Sequence, residues 1–280
     1  MKFGVTIFAT EYSIDLVELG KRLEDLGFDS LWLPEHTHIP MSRRTPFPGG
    51  GDLPRKYSST YDPFLSLTAV AQGTERLLLG TGVCLLTERD PIVTAKEAAS
   101  LDHFSGGRLQ LGVGAGWNIE ELENHGTDPA RRWKLLRERV EAVKVIWTND
   151  EAEYHGDLVD FDPIWQWPKP VQKPHPPIWL GSSTDAALTR VVRYADGWIP
   201  SGLAGITDWR PLLTKLGRMC DVAGREIPPV SIYGAPTDPG AITLNAEAGV
   251  DRCIFRLPSA PADEIVPLLI QIARLRPPSD

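Results

Sequence analysis

A glycine-rich stretch with the sequence RLQLGVGAGWNIEE, Arg108–Glu121, carries the clearest chemical signal in the chain. Its apolar start predicts a short buried strand, which ends in three glycines followed by an aromatic and an amide residue: Gly112, Gly114, Gly116, Trp117 and Asn118. Because glycine has no Cβ, backbone N–H groups at such a loop can approach a flat or anionic ligand closely. The stretch therefore predicts a ligand site at the carboxyl end of a strand. A dinucleotide fingerprint would need glycine at position 117 or 119, which Trp117 and Ile119 occupy.

A second candidate is the segment Glu35-His36-Thr37-His38, which follows a predicted strand over Ser30–Leu33. An imidazole beside a carboxylate can hydrogen-bond to it and move protons near neutral pH, so Glu35 and His36 are a candidate proton-transfer pair. The alternative interpretation is a polar loop that only caps the barrel. The same residue types also bind metals, but this irregular spacing and the lack of a further cluster after later strands argue against a metal. Hydrolase motifs of the G-x-S-x-G and H-E-x-x-H types are absent from the sequence.

Small hydroxylated residues follow two later predicted strands. Gly181-Ser182-Ser183-Thr184 precedes a predicted helix at Asp185, and Ser201-Gly202 follows the next strand. Hydroxyls and the N–H groups of a helix N-terminus form a phosphate cradle in many proteins. The same residues also serve as ordinary helix caps, and this motif alone supports both interpretations equally.

Short apolar runs alternate with longer amphipathic stretches along the chain. The predicted strands are Lys2–Phe8, Ser30–Leu33, Leu77–Leu86, Leu109–Val113, Ile178–Gly181, Gly197–Pro200, Pro229–Tyr233 and Arg252–Leu257. Repeated β–α units imply parallel strands with right-handed crossovers, and eight of them predict an α/β fold: a single-domain (β/α)8 TIM barrel over residues 1–280. An open doubly wound sheet is the alternative. The pattern lapses at about 148–176, between the fourth long helix and the fifth strand, where we expect an insertion with a small hairpin near Tyr154–Phe161.

Composition limits the class of protein. The chain has 280 residues, of which 42% are hydrophobic and 24% charged, and this suits a globular protein with a substantial core. Its formal net charge of −8 argues against a nucleic-acid or anionic-membrane partner. Three cysteines far apart make no disulfide framework. No signal peptide and no apolar run of roughly 18 residues is present, so we expect a cytoplasmic protein.

Several motifs together resemble the bacterial luciferase-like monooxygenase superfamily. In chain order they are SLWLPEHTH, LLLGTGV, SGGRLQLGVGAGWNIEELENHG, PKPVQKPHPPIWLGSST and ADGWIPSG. The most similar branch is the actinobacterial group assigned to the deazaflavin coenzyme F-420. The resemblance implies a (β/α)8 barrel with an insertion, a homodimer, and a cofactor, F-420 or FMN, bound at the carboxyl face of the barrel.

The resemblance also assigns residues by position. Glu35 and His36 match an acid–His pair beside the cofactor ring, and Gly82–Val83 match a bulge with a non-proline cis peptide. The full set of implied cofactor-binding residues is Glu35, His36, Thr81, Gly82, Val83, Gly114, Gly116, Trp117, Asn118, Gly181, Ser182, Ser183, Ser201 and Gly202. Ala204 replaces a lysine that some deazaflavin enzymes have. Trp117 replaces the proton-donating glutamate of sugar-oxidising relatives, so sugar oxidation is not expected.

These observations predict an oxidoreductase that uses F-420 for hydride transfer with a small organic substrate. His36 is the expected proton-transfer residue, and Glu35 is expected to orient it. Trp117 and the loop around Tyr57–Tyr61 are expected to form walls of the substrate pocket. An FMN-dependent monooxygenase of the same fold is the first alternative. A flavin-binding protein without turnover is the second, and a metal-dependent barrel hydrolase or lyase is the third.

Overall fold

Eight parallel strands form one sheet whose edges meet, in the computed structural model that describes residues 1–276 of the chain. The barrel strands are β1 (Lys2–Thr6), β2 (Ser30–Leu33), β3 (Leu78–Thr81), β4 (Leu109–Val113), β7 (Ile178–Leu180), β8 (Gly197–Trp198), β9 (Ser231–Ala235) and β10 (Arg252–Arg256). The remaining two strands, β5 (Glu151–His155) and β6 (Asp160–Trp165), form a separate hairpin. The order in the sheet is β8-β7-β4-β3-β2-β1-β10-β9. Parallel bridges from Trp198 to Val230 and from Ser201 to Tyr233 join its two edges. The predicted (β/α)8 barrel is confirmed.

Helices lie between the strands. They are α1 (Leu16–Asp25), α2 (Lys56–Ser59), α3 (Pro63–Gln72), α4 (Pro91–Phe104), α5 (Ile119–Asn124), α6 (Arg132–Thr148), α7 (Asp185–Tyr194), α8 (Arg210–Ala223), α9 (Pro239–Glu247) and α10 (Ala262–Ala273). Four of them begin after an aspartate whose side chain accepts a hydrogen bond from a first-turn N–H group: Asp15, Asp62, Asp90 and Asp238. Such caps satisfy backbone donors that have no partner within the helix, which explains where these helices start.

The barrel interior is filled by large side chains opposite glycines. The indoles of Trp32 and Trp179 meet edge to face at 5.8 Å, and both are buried. A Cβ at Gly80 would lie 2.2 Å from Trp32, and one at Gly197 would lie 2.3 Å from Trp179. These two strand glycines therefore make room for indoles, and the core below the carboxyl face is closed.

The predicted insertion is present. β5 and β6 pair antiparallel between α6 and β7, and they extend the expected Tyr154–Phe161 hairpin at both ends. The proline-rich segment that follows contains cis peptides before Pro168 and Pro174. It returns along the outside of the barrel, where Gln172 hydrogen-bonds to Asp102 of α4.

One predicted element is wrong. The apolar run Leu77–Leu86 was expected to be a single strand, but β3 ends at Thr81 and a 3-10 turn covers Leu86–Glu88. Between them the chain bulges at a cis Gly82–Val83 peptide and pairs again with β4 through Cys84 and Val113. Since most residues from Leu77 to Leu86 are buried and apolar, periodicity does not separate the strand from the bulge and the turn. Within residues 1–276, no helix combines the length and apolar character needed to cross a bilayer.

Candidate active site

A cavity opens at the carboxyl ends of the strands. Its wall is formed by residues that follow β1, β2, β3, β4 and β10, together with α2 and β9. Among the predicted site residues, Glu35, His36, Gly82, Val83 and Trp117 line it. This is the location that a (β/α)8 barrel predicts for its active site.

His36 is held by an acid that the sequence did not single out. Its Nδ1 lies 2.8 Å from Oε2 of Glu121, the third residue of α5, and Glu121 is fully buried. With Nδ1 occupied, Nε2 is the ring nitrogen left for a molecule in the cavity. The prediction that Glu35 orients His36 is therefore wrong, since Glu121 has that role. Asn118 followed by two acids in the first helical turn is a helix-start signal that could have found Glu121.

Glu35 instead fixes the bulge. Its carboxylate accepts a hydrogen bond of 2.6 Å from the backbone N–H of Leu85 and another of 2.6 Å from Nε of Arg89. Arg89 also pairs with Asp62, which caps α3, and at 2.9 Å with Glu97 of α4. Although burial would lower it, the neighbouring Glu35 carboxylate raises the pKa of Arg89 above its ordinary value. Arg89 therefore stays charged and joins the loop after β2 to two helices.

Two buried polar side chains lie close to Glu121 in the chain or in space. The side chains of Glu88 and Asn118 are almost completely buried, and none of their polar atoms has a hydrogen-bond partner among the described residues. Burial, reinforced by the charges of Glu121 and Glu35, raises the pKa of Glu88 to about 9. Glu88 is thus a neutral acid at pH 7, next to the acid that holds His36.

Aromatic side chains cover the cavity. The ring of His36 lies 5.3 Å from Tyr57 and 5.9 Å from Trp117, and Phe47 contacts both Tyr57 (5.2 Å) and Trp117 (6.2 Å). Phe47 belongs to the β2–α2 loop (residues 34–55), which the sequence marked only as polar. This cluster places aromatic surface beside the ring of His36.

The β2–α2 loop is fastened to α5 by Glu120. The Glu120 carboxylate accepts from the Thr45 hydroxyl and, at 3.1 Å, from the Thr45 N–H. Burial alone would raise the pKa of Glu120, but these hydrogen bonds outweigh it and lower the pKa to about 2. The same helix therefore positions both His36 and the loop above it.

The bulge forms the floor of the cavity. The cis Gly82–Val83 peptide implied by the resemblance is present. A Cβ at Gly114 would lie 2.5 Å from the Val83 side chain and one at Gly181 would lie 2.7 Å from it, so these glycines make room for Val83. Thr81 is buried and donates to the Gly112 carbonyl at 2.7 Å. Cofactor contact at Thr81, Gly114, Gly116, Asn118 and Gly181 stays a prediction.

The predicted phosphate residues meet at the rim between β7 and β8. The Ser183 hydroxyl accepts a 2.8 Å hydrogen bond from the Ser201 N–H, and the Ser182 and Thr184 hydroxyls are 3.2 Å apart. Thr184 precedes α7 without capping it through its side chain, so N–H groups of the first turn are available to an anion. Gly202 lies so close to the Gly234 carbonyl that a Cβ would be 2.6 Å from it. Hydroxyls and amides are a donor set that fits a phosphate, and the floor and aromatic wall fit a planar ring.

A metal centre has no counterpart in the described chain. Residues 1–276 contain no group of three or more His, Cys, Asp or Glu side chains arranged to hold a metal ion. His38 contacts Asn124 and Thr37 at the surface, outside the cavity.

A family model matches most of the chain. Residues 1–236 match the family model described as luciferase-like monooxygenase. An uncharacterized protein of Mycobacterium tuberculosis is 38% identical over 278 residues, which are 98% of this chain and 98% of that protein.

Two solved structures resemble the fold. One is the coenzyme F-420-dependent tetrahydromethanopterin reductase from Methanopyrus kandleri, with a TM-score of 0.73 and 18% identity over 96% of this chain and 97% of that chain. The other is the oxygenating constituent of 3,6-diketocamphane monooxygenase from Pseudomonas putida in complex with FMN, with a TM-score of 0.63 and 17% identity over 83% of this chain and 67% of that chain. At these identities the likeness is one of fold.

Proposed function

Because the chain belongs to the luciferase-like monooxygenase family, we propose that it is an oxidoreductase that uses coenzyme F-420 for hydride transfer with a small organic substrate. The observation that carries the proposal is the position of His36: it is fixed at Nδ1 by a buried acid and faces a cavity whose floor is the Gly82–Val83 bulge. The motif resemblance to the actinobacterial branch favours F-420 over FMN. We further propose a cytoplasmic homodimer, as the resemblance implies.

The bound cofactor would supply the hydride chemistry. Ser182, Ser183, Ser201 and the start of α7 would hold its phosphate, and the floor and aromatic wall would hold its ring. His36 gives a proton to, or takes one from, the reacting group through Nε2, while Glu121 keeps the imidazole oriented. Tyr57, Phe47 and Trp117 keep water away from the reacting atoms.

Titration of the purified protein with F-420 and, separately, with FMN tests the cofactor assignment through the absorbance of each. We expect saturable binding of F-420 that is at least about tenfold tighter than that of FMN. Replacing Ser183 and Ser201 with alanine should weaken F-420 binding, whereas Ser42→Ala, in the β2–α2 loop, should not. Preference for FMN would instead support the second candidate function, an FMN-dependent monooxygenase. The observation that favours this candidate is the fold similarity to the 3,6-diketocamphane monooxygenase constituent in complex with FMN. Binding of neither cofactor would overturn both assignments.

A further inference from the structure

In the part of the chain that the structure describes, two cations of the cavity wall have no counter-charge. Lys56 is the first residue of α2 and Arg256 the last residue of β10, and both line the cavity with His36. Within residues 1–276 neither side chain forms an ion pair or a hydrogen bond that would neutralise it. Other cations nearby are paired: Arg55 with Glu11 at 2.6 Å, and Arg89 with three acids. In a chain with 37 acidic and 29 basic residues, two unpaired cations at one cavity need an explanation.

Aromatic contacts and backbone geometry position both cations. Lys56 Nζ lies 5.1 Å from the ring centroid of Phe8, and the Arg256 guanidinium lies 5.6 Å from that of Tyr233. Gly234 has a φ of 76°, and a Cβ there would lie 2.3 Å from Nε of Arg256. The path of the arginine side chain along the cavity therefore requires glycine at position 234.

Lys56 and Arg256 repel each other when no anion lies between them. Partial burial and the charge of Arg256 lower the pKa of Lys56 from its ordinary value. The carboxylate of Glu35 also lines the cavity, but Leu85 and Arg89 already satisfy its oxygens. An anion placed between Lys56 and Arg256 would relieve this repulsion and form charge-assisted hydrogen bonds.

We propose that Lys56 and Arg256 bind an anionic oxygen group, a carboxylate for example, at one end of the substrate. The proposal rests on the proposed function, because it places the substrate in the same cavity as His36. The wall between the cations and His36 is apolar and aromatic, with Phe8, Tyr57 and Leu257. The substrate class is therefore a small organic acid with an apolar body.

The cofactor phosphate is the other anion to consider. Ser182, Ser183 and Ser201 do not line the cavity with Lys56 and Arg256, and they follow β7 and β8, whereas Arg256 ends β10 on the far side of β9. The two anion sites are therefore distinct parts of the carboxyl face, and separate measurements can distinguish them.

Calorimetric titration of the full chain with benzoate and with benzamide, its neutral counterpart, tests the proposal. We expect benzoate to bind about tenfold more tightly than benzamide. Lys56→Met with Arg256→Met should abolish that preference, because methionine keeps an apolar stem and removes the charge. Arg55→Met is the matched control: it removes a neighbouring cation outside the cavity and should leave the preference intact. A cooperative thermal unfolding transition of each variant would show that the variant is folded at the temperature of the titration.

Titrations of the same variants with F-420 and FMN separate this inference from the cofactor assignment. Unchanged cofactor affinity together with a lost benzoate preference supports the substrate role. Weakened cofactor binding with an intact benzoate preference would assign the cations to the cofactor and overturn the inference. Equal binding of benzoate and benzamide to the unaltered protein, or no binding of either, would also overturn it. If benzoate selectivity is lost in the variants while neither cofactor binds the unaltered protein, the anion site stands and the cofactor proposal fails.

Discussion

At the scale of single residues, the chemistry of the site depends on His36 and its buried partner. His36→Asn should lower kcat by about 100- to 10,000-fold with any substrate that supports turnover, since a positioned acid or base contributes on that order. Cofactor affinity should fall far less than kcat, because the substitution leaves the bulge and the serine rim intact and these provide most of the predicted cofactor contacts. Glu121→Gln, which keeps a hydrogen-bond acceptor for Nδ1, should retain more activity than Glu121→Ala. If His36→Asn kept full activity, the assigned role of His36 would be wrong.

We expect Glu88 to make the free energy of unfolding depend on pH. Its pKa of about 9 in the folded protein lies above the ordinary value of 4.5, so between these pH values the folded state holds a proton that the unfolded state has released. The stabilisation is complete below pH 4.5 and is lost as the pH rises through about 9. Glu88→Gln mimics the neutral acid, and its melting temperature relative to the unaltered protein should rise from pH 5 to pH 9. Exposed Glu75→Gln should show no such trend; the same trend in both would contradict the prediction.

At the scale of elements, Arg89 joins the loop after β2 to α3 and α4. Removing its charge leaves Glu35, whose side chain is 2% exposed, without a counter-charge. Arg89→Met should therefore lower the free energy of unfolding by about 3–5 kcal/mol, and adding Glu35→Gln should restore part of it. Arg55→Met, which breaks an exposed pair, should cost less than about 1 kcal/mol. Denaturant unfolding gives both values, and equal losses would show that the Arg89 network is energetically an ordinary surface pair.

The elements also show what the sequence could predict. The strand–helix alternation predicted all eight barrel strands, because almost every residue of these strands is buried, and the lapse near residue 150 located the hairpin. Periodicity did not reveal where β3 ends, since Leu85 and Leu86 are as buried in the bulge and turn as they would be in a strand. Motif similarity identified His36 and the Gly82–Val83 bulge. It did not identify the His36–Glu121 contact, because those residues are 85 positions apart and meet only when the barrel forms.

At the scale of the whole molecule, barrel closure depends on indoles that fit over glycines. Gly80→Ala would place a Cβ 2.2 Å from the fully buried side chain of Trp32. Either the indole or the strand would have to move. Overpacking of this kind should destabilise the barrel by about 1–3 kcal/mol or more. Gly80→Ala combined with Trp32→Phe should recover part of that loss in thermal unfolding. A Gly80→Ala variant that melts like the unaltered protein would show that the interior is looser than the contacts indicate.

The seat of Val83 between Gly114 and Gly181 has a consequence for the history of the chain. Three strands jointly set the height of the cavity floor, so none of these positions is free to change in size alone. A related chain with a residue larger than glycine at position 114 or 181 needs a residue smaller than valine at position 83. Otherwise the floor of its cavity must lie higher. Among related chains, the sizes of the residues at these three positions should therefore vary together. Their combined volume should determine the height above the barrel at which each relative binds its ligand.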